Sequence, residues 1–256
     1  MKIGLFIKYE AVEKDLEERL INSIIQHGFE FDNENPQYVF TVGGDGTFLK
    51  GVQKYINKLD SVTFIPINRG NLGYFSDFTQ DEFDYILSNL DKYVKNSYSL
   101  VKAKLNNTEI YAVNEIRIEN PFHTLISDVY INDEFLETFR GNGLVVSTSL
   151  GSTGYNKSIG GAVIDLKLEV LQLSEIAPIN NCLFSSLKSP LVVSKDSKIK
   201  FKGDLSNVMV GYDYLVKSNE DLKEIVFSLS DKKVTVLNKK GRALASKLNK
   251  TFIERR

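Results

Sequence analysis

"VFTVGGDGTFLK" occupies residues 39–50. An apolar run meets Gly43-Gly44-Asp45-Gly46, and a second apolar pattern follows, with Phe48, Leu49, Val52, Tyr55 and Ile56 at helical spacing. Strand, glycine turn and helix in that order make up the unit from which parallel α/β sheets are built. In such sheets ligands bind at the carboxyl ends of the strands. Free backbone N–H groups and the helix dipole favour anions there. The turn is neither G-x-x-x-x-G-K-[ST] nor G-x-G-x-x-G. One reading makes Asp45 or Thr47 a cap for the following helix. The other makes the turn a phosphate site, and then Asp45 needs a Mg²⁺ ion or a hydroxyl beside it. An aspartate that takes the proton of an acceptor hydroxyl, while neighbouring amides hold donor phosphates, is a coherent kinase arrangement.

Outward from this stretch the first third of the chain alternates strand and helix signals. Residues 3–7 form a short apolar run, and Val12, Leu16, Leu20, Ile24 and Ile25 recur at helical spacing before a stop at Gly28. Residues 38–42 and 62–67 read as buried strands. Thr79 with Glu82 is a capping-box signal ahead of Phe83, Ile86, Leu87 and Leu90. The expectation is a doubly wound α/β domain with a parallel sheet over residues 1–96. From 97 to 241 short β segments dominate: 98–105, 109–119, 125–131, 143–148, 191–193, 198–202, 207–211, 224–229 and 234–237. These predict a larger all-β domain. Residues 242–256, with Leu244, Leu248 and Phe252 in register, predict a C-terminal helix that packs back.

The 256 residues suffice for a sizeable core. A net charge of −1 argues against a general nucleic-acid or membrane-surface binder. No apolar run approaches the ~20 residues of a membrane span. A single cysteine, Cys182, cannot form an internal disulfide, which fits a reducing cytoplasm. With one Cys and two His (His27 and His123), a structural zinc site is not expected.

Two further stretches carry chemistry. "PINRGNLGYF" (residues 66–75) follows the 62–67 strand, so its turn belongs on the same sheet edge as Asp45. "FRGNGLVVSTSLGSTGYNKSIGGA" (residues 139–162) is dense in Gly, Ser, Thr and Asn around Tyr155. It suits an adenine or nicotinamide ring stacked on Tyr155 with hydroxyls and backbone reading its edge. The plainer reading is a long polar connection, but long ordered loops are usually functional.

With these stretches quoted, the chain resembles the NAD kinase family. The resemblance rests on GGDGT (43–47), INRGNLGYF (67–75), VNE (113–115), RGNGLVVSTSLGSTGYNKSIGGA (140–162) and EIAPIN (175–180). GGDGT alone is shared with lipid kinases, which would be expected to show GTGND where this chain reads RGNLG. The resemblance implies an α/β domain followed by a larger β-rich domain. It implies transfer of the ATP γ-phosphate, with Mg²⁺ or another divalent cation, to the 2′-hydroxyl of the adenosine ribose of NAD. Asp45 then matches the proton acceptor, with Gly43, Gly44, Gly46, Thr47 and Phe75 around the nucleotide. Asn114 and Glu115 match the pair that binds adenosine and ribose. Thr153, Gly154, Tyr155, Asn156, Lys157 and Ser158 match the adenine loop. Ala177 and Ile179 line the nicotinamide side, with Arg140 and Asn142 nearby. Asp213 and His123 match looser positions, and no direct protein ligand for the metal is assigned. Members are usually homo-oligomers, so a homodimer or homotetramer is expected, with NAD and ATP as partners. The family usually reads RGDG where this chain has Asn142, and an Asn there loses a charge associated with the nicotinamide end. Gly154 replaces the usual Ala, and Leu150 replaces what is often a small hydroxyl residue.

Overall fold

A computed structural model describes residues 1–7, 14–70, 73–218, 221–241 and 244–254. Val12, Asn71, Leu72, Arg242 and Arg256, all within stretches read above, lie outside the described residues. The chain forms two compact units, Met1–Ser97 with Lys233–Arg256, and Tyr98–Lys232.

The first unit is built on parallel strands β1 (Lys2–Ile7), β2 (Glu30–Phe31), β3 (Tyr38–Val42), β4 (Thr63–Asn68) and β5 (Phe78–Thr79). β1 sits between β2 and β3, β3 pairs with β4, and β4 pairs with β5. Helices α1 (Lys14–Gln26), α2 (Asp45–Lys54) and α3 (Phe83–Leu87) cover the sheet. Side chains alternate across a strand. Ile3, Leu5, Ile7, Phe40, Val42, Ile65 and Ile67 pack with Leu16, Leu20 and Ile24 of α1 and with Phe83, Ile86 and Leu87 of α3. The residues between them face α2. A Cβ on Gly51 would stand 2.7 Å from Thr41 and 3.6 Å from the Phe6 ring, and Phe48 packs edge-on to Phe64 at 6.0 Å. Ile25, expected in the buried stripe of α1, is 56% exposed, because the packed positions are four residues apart and Ile25 falls off that row. α1 ends before Gly28, whose φ of +79° closes the turn. The expected capping box is present: Glu82 accepts from the Thr79 N–H at 3.0 Å.

The second unit holds two antiparallel sheets. Its strands are β6 (Val94–Leu105), β7 (Thr108–Ala112), β8 (Glu115–Glu119), β9 (Leu125–Ile131), β10 (Glu134–Gly141) and β11 (Gly143–Thr148). After a short helix α4 (Tyr155–Ser158) come β12 (Val170–Ile176), β13 (Leu191–Ser194), β14 (Ile199–Lys202), β15 (Met209–Tyr212), β16 (Leu215–Ser218) and β17 (Glu224–Asn238). One sheet runs β13-β12-β11-β8-β15-β16, and the other contains the β10-β9-β14-β17 ladder. Their inner faces share a core that includes Phe139, Phe201 and Phe227 on one side and Ile118, Val146, Leu173 and Val210 on the other.

Residues 109–119 are two strands, interrupted at Val113 and Asn114. Residues 224–229 and 234–237 belong to one strand, β17, whose end joins the first unit by parallel pairing of Thr235 and Val236 with Thr63 and Phe64. β10, β12 and β16 were not expected. In β12, Leu171 and Leu173 face the core, while Gln172 and Ser174 point the other way and are buried against Ala162 and Asn156. The tail forms α5 (Leu244–Leu248) and a π-type turn (Asn249–Ile253). Its buried residue is Lys247, not an apolar one; Leu244 and Leu248 are half-buried, and Phe252 is 41% exposed.

Candidate functional site

The predicted residues fall into two clusters, one on each unit. On the first unit, the turn after β3 enters α2 with Gly44 as N-cap and no side-chain cap bond, so the capping reading of Asp45 and Thr47 does not hold. Asp45 instead reaches the second glycine turn. Its Oδ2 accepts from the Tyr74 N–H at 2.9 Å and its Oδ1 from the Phe75 N–H at 3.2 Å. The two turns are also tied by the Gly43 N–H donating to the Ile67 carbonyl at 2.9 Å. Gly43 has φ +155°, and a Cβ there would meet Thr47 Oγ1 at 2.3 Å, so the fold itself demands glycine. Gly44 and Gly46 differ. Both are exposed, neither has a left-handed φ, and a Cβ on either would meet nothing within 4 Å. Glycine at those two positions serves no packing need in this unit and leaves the backbone open to a close ligand. Thr47 is buried, and the buried Phe75 ring stacks on Phe48 at 4.6 Å.

On the second unit, Asp213 organises the break between β7 and β8. Its carboxylate accepts from the Val113 N–H at 2.9 Å and the Asn114 N–H at 2.8 Å, while its own N–H donates to the Glu115 carbonyl at 3.2 Å. Asp213 adopts φ +49° to do so. Across the break, Thr148 Oγ1 donates to the Val113 carbonyl at 2.7 Å and accepts from Gly151 N–H at 2.9 Å. Gly151 passes so close that a Cβ would stand 2.0 Å from the Asn114 carbonyl oxygen. This clamp presents Asn114 Oδ1 and Glu115 Oε2, two buried oxygens without a hydrogen-bond partner among the described residues. Buried polar atoms without partners carry a cost of about 1–3 kcal/mol each, which a bound group would relieve. Gly154 lies against both side chains: its Cβ position is 3.2 Å from Asn114 Nδ2 and 3.3 Å from Glu115 Oε2.

Burial pushes the Glu115 carboxyl up to about 8, helped by the Asp213 carboxylate and opposed by the Arg117 guanidinium 3.7 Å away. Arg117 also donates to Glu119 at 3.0 Å and lies 4.7 Å from the Tyr155 ring centroid. Tyr155 donates its hydroxyl to Glu119 at 3.1 Å. Burial, then Glu119, raises its phenol above the ordinary range. One face of Tyr155 is therefore covered by Arg117. Arg117 and Glu119 were not singled out from the sequence, yet they follow Glu115 at the strand period of two and so share its face.

The other predicted residues are placed as follows. Asn156 is fully buried; its Nδ2 donates to the Ser152 carbonyl at 3.3 Å and its Oδ1 accepts from Ser174 at 2.7 Å. It is a strut of the loop, closed to a ligand. Lys157 and Ser158 are exposed, and Thr153 is half-buried. Arg140 lies 4.4 Å over Phe184, and its carbonyl accepts from Ile179 N–H at 2.7 Å. Ala177 is exposed with φ +44°, and Ile179 is 38% exposed. Asn142 is exposed, with Nδ2 donating to the Asn120 carbonyl at 3.4 Å. His123 is exposed in a groove of about 860 Å³ lined also by Asn120, Phe122, Asp128, Lys202 and Asp204; Asn114, Glu115 and Tyr155 are not part of that lining.

Comparison with known proteins adds to this geometry. The family model for the ATP-NAD kinase N-terminal domain matches residues 8–98, and that for the ATP-NAD kinase C-terminal domain matches residues 113–238. NAD kinase of Leuconostoc mesenteroides is 36% identical over 241 residues, covering 91% of each chain. NAD kinase of Lactobacillus johnsonii is 40% identical over 244 residues, covering 90% of this chain and 89% of its own. Among solved structures, an NAD kinase from Archaeoglobus fulgidus in complex with ATP superimposes with a TM-score of 0.81 at 24% identity, covering 98% and 99% of the two chains. Yeast NADH kinase complexed with NADH gives a TM-score of 0.84 at 19% identity, covering 97% of this chain and 86% of its own. At those identities the two structures speak for the fold.

Proposed function

The chain belongs to the NAD kinase family, and from that premise we propose that it transfers the γ-phosphoryl group of ATP to the 2′-hydroxyl of the adenosine ribose of NAD. The observation that carries the proposal is the pair of unpartnered buried oxygens, Asn114 Oδ1 and Glu115 Oε2, held at a clamped chain break beside Tyr155. A ribose and an adenine offer the hydroxyls and the amino group that such oxygens lack. With its carboxyl raised to about 8, Glu115 enters neutral at pH 7 and can donate as well as accept.

In this reading Gly44 and Gly46 let the α2 backbone approach the triphosphate, with Gly43 and Thr47 shaping the turn. Asp45 takes the proton of the ribose hydroxyl. Two of its lone-pair sites are used by the Tyr74 and Phe75 amides, and the others remain for that hydroxyl. Thr153, Gly154 and Tyr155 cover the adenine. Arg140, Asn142, Ala177 and Ile179 lie toward the nicotinamide, with His123 as an outlying contact. Among the described residues no group of three or more His, Cys, Asp or Glu comes together. Mg²⁺ or another divalent cation would be held with the triphosphate and would supply charge neutralisation there. We infer too that the first unit is doubly wound, since α1 and α3 pack on one set of strand residues and α2 on the alternate set. Self-association as a homodimer or homotetramer and a cytoplasmic location complete the reading; light scattering of the purified protein decides the first.

The test is incubation with ATP, Mg²⁺ and NAD, followed by detection of NADP with an NADP-specific dehydrogenase. NADP above the blank is expected. NAD binding without NADP would leave a binding protein. Phosphorylation of a lipid hydroxyl without NADP would make the shared GGDGT the whole of the resemblance.

A further inference from the structure

We propose that Gly73 is a positioning residue for Asp45: because it has no side chain, the Asp45 carboxylate rests against the second glycine turn, where two backbone amides fix both of its oxygens. The inference builds on the reading of Asp45 as proton acceptor. A Cβ on Gly73 would stand 2.2 Å from Asp45 Oδ1, 2.9 Å from Cγ and 3.2 Å from Oδ2. The demand for glycine here is steric, and the atoms a side chain would meet first are those of Asp45. Among the neighbours within 4 Å, the nearest three atoms all belong to Asp45. The carboxylate is also the part that gives way, since it is the movable end of a side chain while the turn is anchored by the buried Tyr74 and Phe75 side chains.

Three consequences follow from this packing. First, the turn at 73–75 orients the carboxylate rather than capping a helix: Tyr74 N–H and Phe75 N–H hold separate oxygens at 2.9 and 3.2 Å, which sets the plane of the group. Second, Tyr74 and Phe75 are both buried, and Phe75 is stacked on Phe48 of α2, the helix that begins at Asp45. The donors and the acceptor thus share one rigid patch of the first unit. Third, a general base works only within hydrogen-bond reach of its proton, and a displacement of about 1 Å costs about 100-fold. Gly73→Ala would turn the carboxylate off both amides by more than that.

The experiment is a double-mutant cycle on the full chain with Gly73→Ala, Asp45→Ala and the pair, read by steady-state kinetics and by thermal melting. Gly73→Ala is expected to lower kcat about 10–100-fold while KM for NAD shifts by less than about threefold, and to lower the melting midpoint. In the Asp45→Ala background the same substitution is expected to change neither kcat nor midpoint, because the atom it collides with has gone. A Gly73→Ala protein that turns over like wild type overturns the proposal. So does a loss of equal size in both backgrounds, which would mean that Gly73 acts on something other than Asp45. The melting arm does not depend on turnover. A wild type that makes no NADP, with melting still coupled between the two positions, would overturn the reaction assigned to Asp45 and leave the steric pairing standing.

Discussion

Replacing Glu115 by Gln tests the electrostatics of the second cluster most sharply. Glu115 is 4% exposed, and its carboxyl is carried from the ordinary 4.5 to about 8 by burial and by the Asp213 carboxylate, against the pull of Arg117. The folded chain therefore holds this proton more tightly than the unfolded chain. As pH rises through 4.5 the unfolded chain releases its proton first, so stability falls from there until the folded carboxyl titrates near 8, and is level above it. At about 1.4 kcal/mol per pH unit the whole span amounts to up to about 5 kcal/mol. Gln keeps the shape and one donor and has no proton to lose. The assay is urea denaturation of wild type and variant at pH values from 4 to 9, taking the difference at each pH so that other titrating groups cancel. The variant is expected to gain on the wild type steadily between about pH 5 and 8 and to hold a constant advantage above. A difference that stays flat across that range would refute the assignment of Glu115 as a neutral buried acid.

Asp213→Ala removes the acceptor for the Val113 and Asn114 amides and is expected to cost about 1–3 kcal/mol in stability per stranded amide and to raise KM for NAD, read by melting and kinetics. Gly151→Ala places a methyl 2.0 Å from the Asn114 carbonyl oxygen and is expected to destabilise by about 1–3 kcal/mol while weakening NAD binding, read by calorimetry. Asp45→Asn is expected to lower kcat about 10²–10⁴-fold and also to lower the melting midpoint, because its NH₂ end would face an amide N–H in place of an acceptor. Asn142→Asp introduces a carboxylate and is expected to favour NAD over NADH, measured as the ratio of their dissociation constants; an unchanged ratio would show that this position does not face the nicotinamide.

Strand, glycine turn and helix at 38–54 could be read from the chain because a period of two gives way to one of 3.6 across four small residues. Strands 125–131 and 143–148 were equally legible, the first by buried positions at every second residue, Leu125, Ser127 and Val129, the second as an apolar run bracketed by glycine-rich and polar segments. β12 was passed over although Leu171 and Leu173 alternate with Gln172 and Ser174; what no local pattern announces is that the polar pair is buried too, against Ala162 and Asn156, 10 and 18 residues away. The same long-range satisfaction explains Asn156, which a motif reading makes a ligand contact and the fold uses as a strut. Asp45 shows the limit most plainly. Its chemistry is written in GGDGT, but its hold on residues 74 and 75 spans about 30 positions and no local pattern announces it. Glu115, Arg117 and Glu119 are a middle case: the alternation put them on one face, but only the packed unit reveals that one guanidinium contacts both carboxylates.

The central claim is transfer of the terminal phosphoryl group of ATP to one particular hydroxyl. It is tested most directly by supplying ATP labelled with ¹⁸O in the γ-phosphate, together with Mg²⁺ and NAD, and locating the label in the products by mass spectrometry after cleavage of the dinucleotide. The label is expected in a monophosphate on the 2′-oxygen of the adenosine half, and is expected to disappear from that position in the Asp45→Ala protein. Label found only in inorganic phosphate, or on any other hydroxyl of NAD, would contradict it.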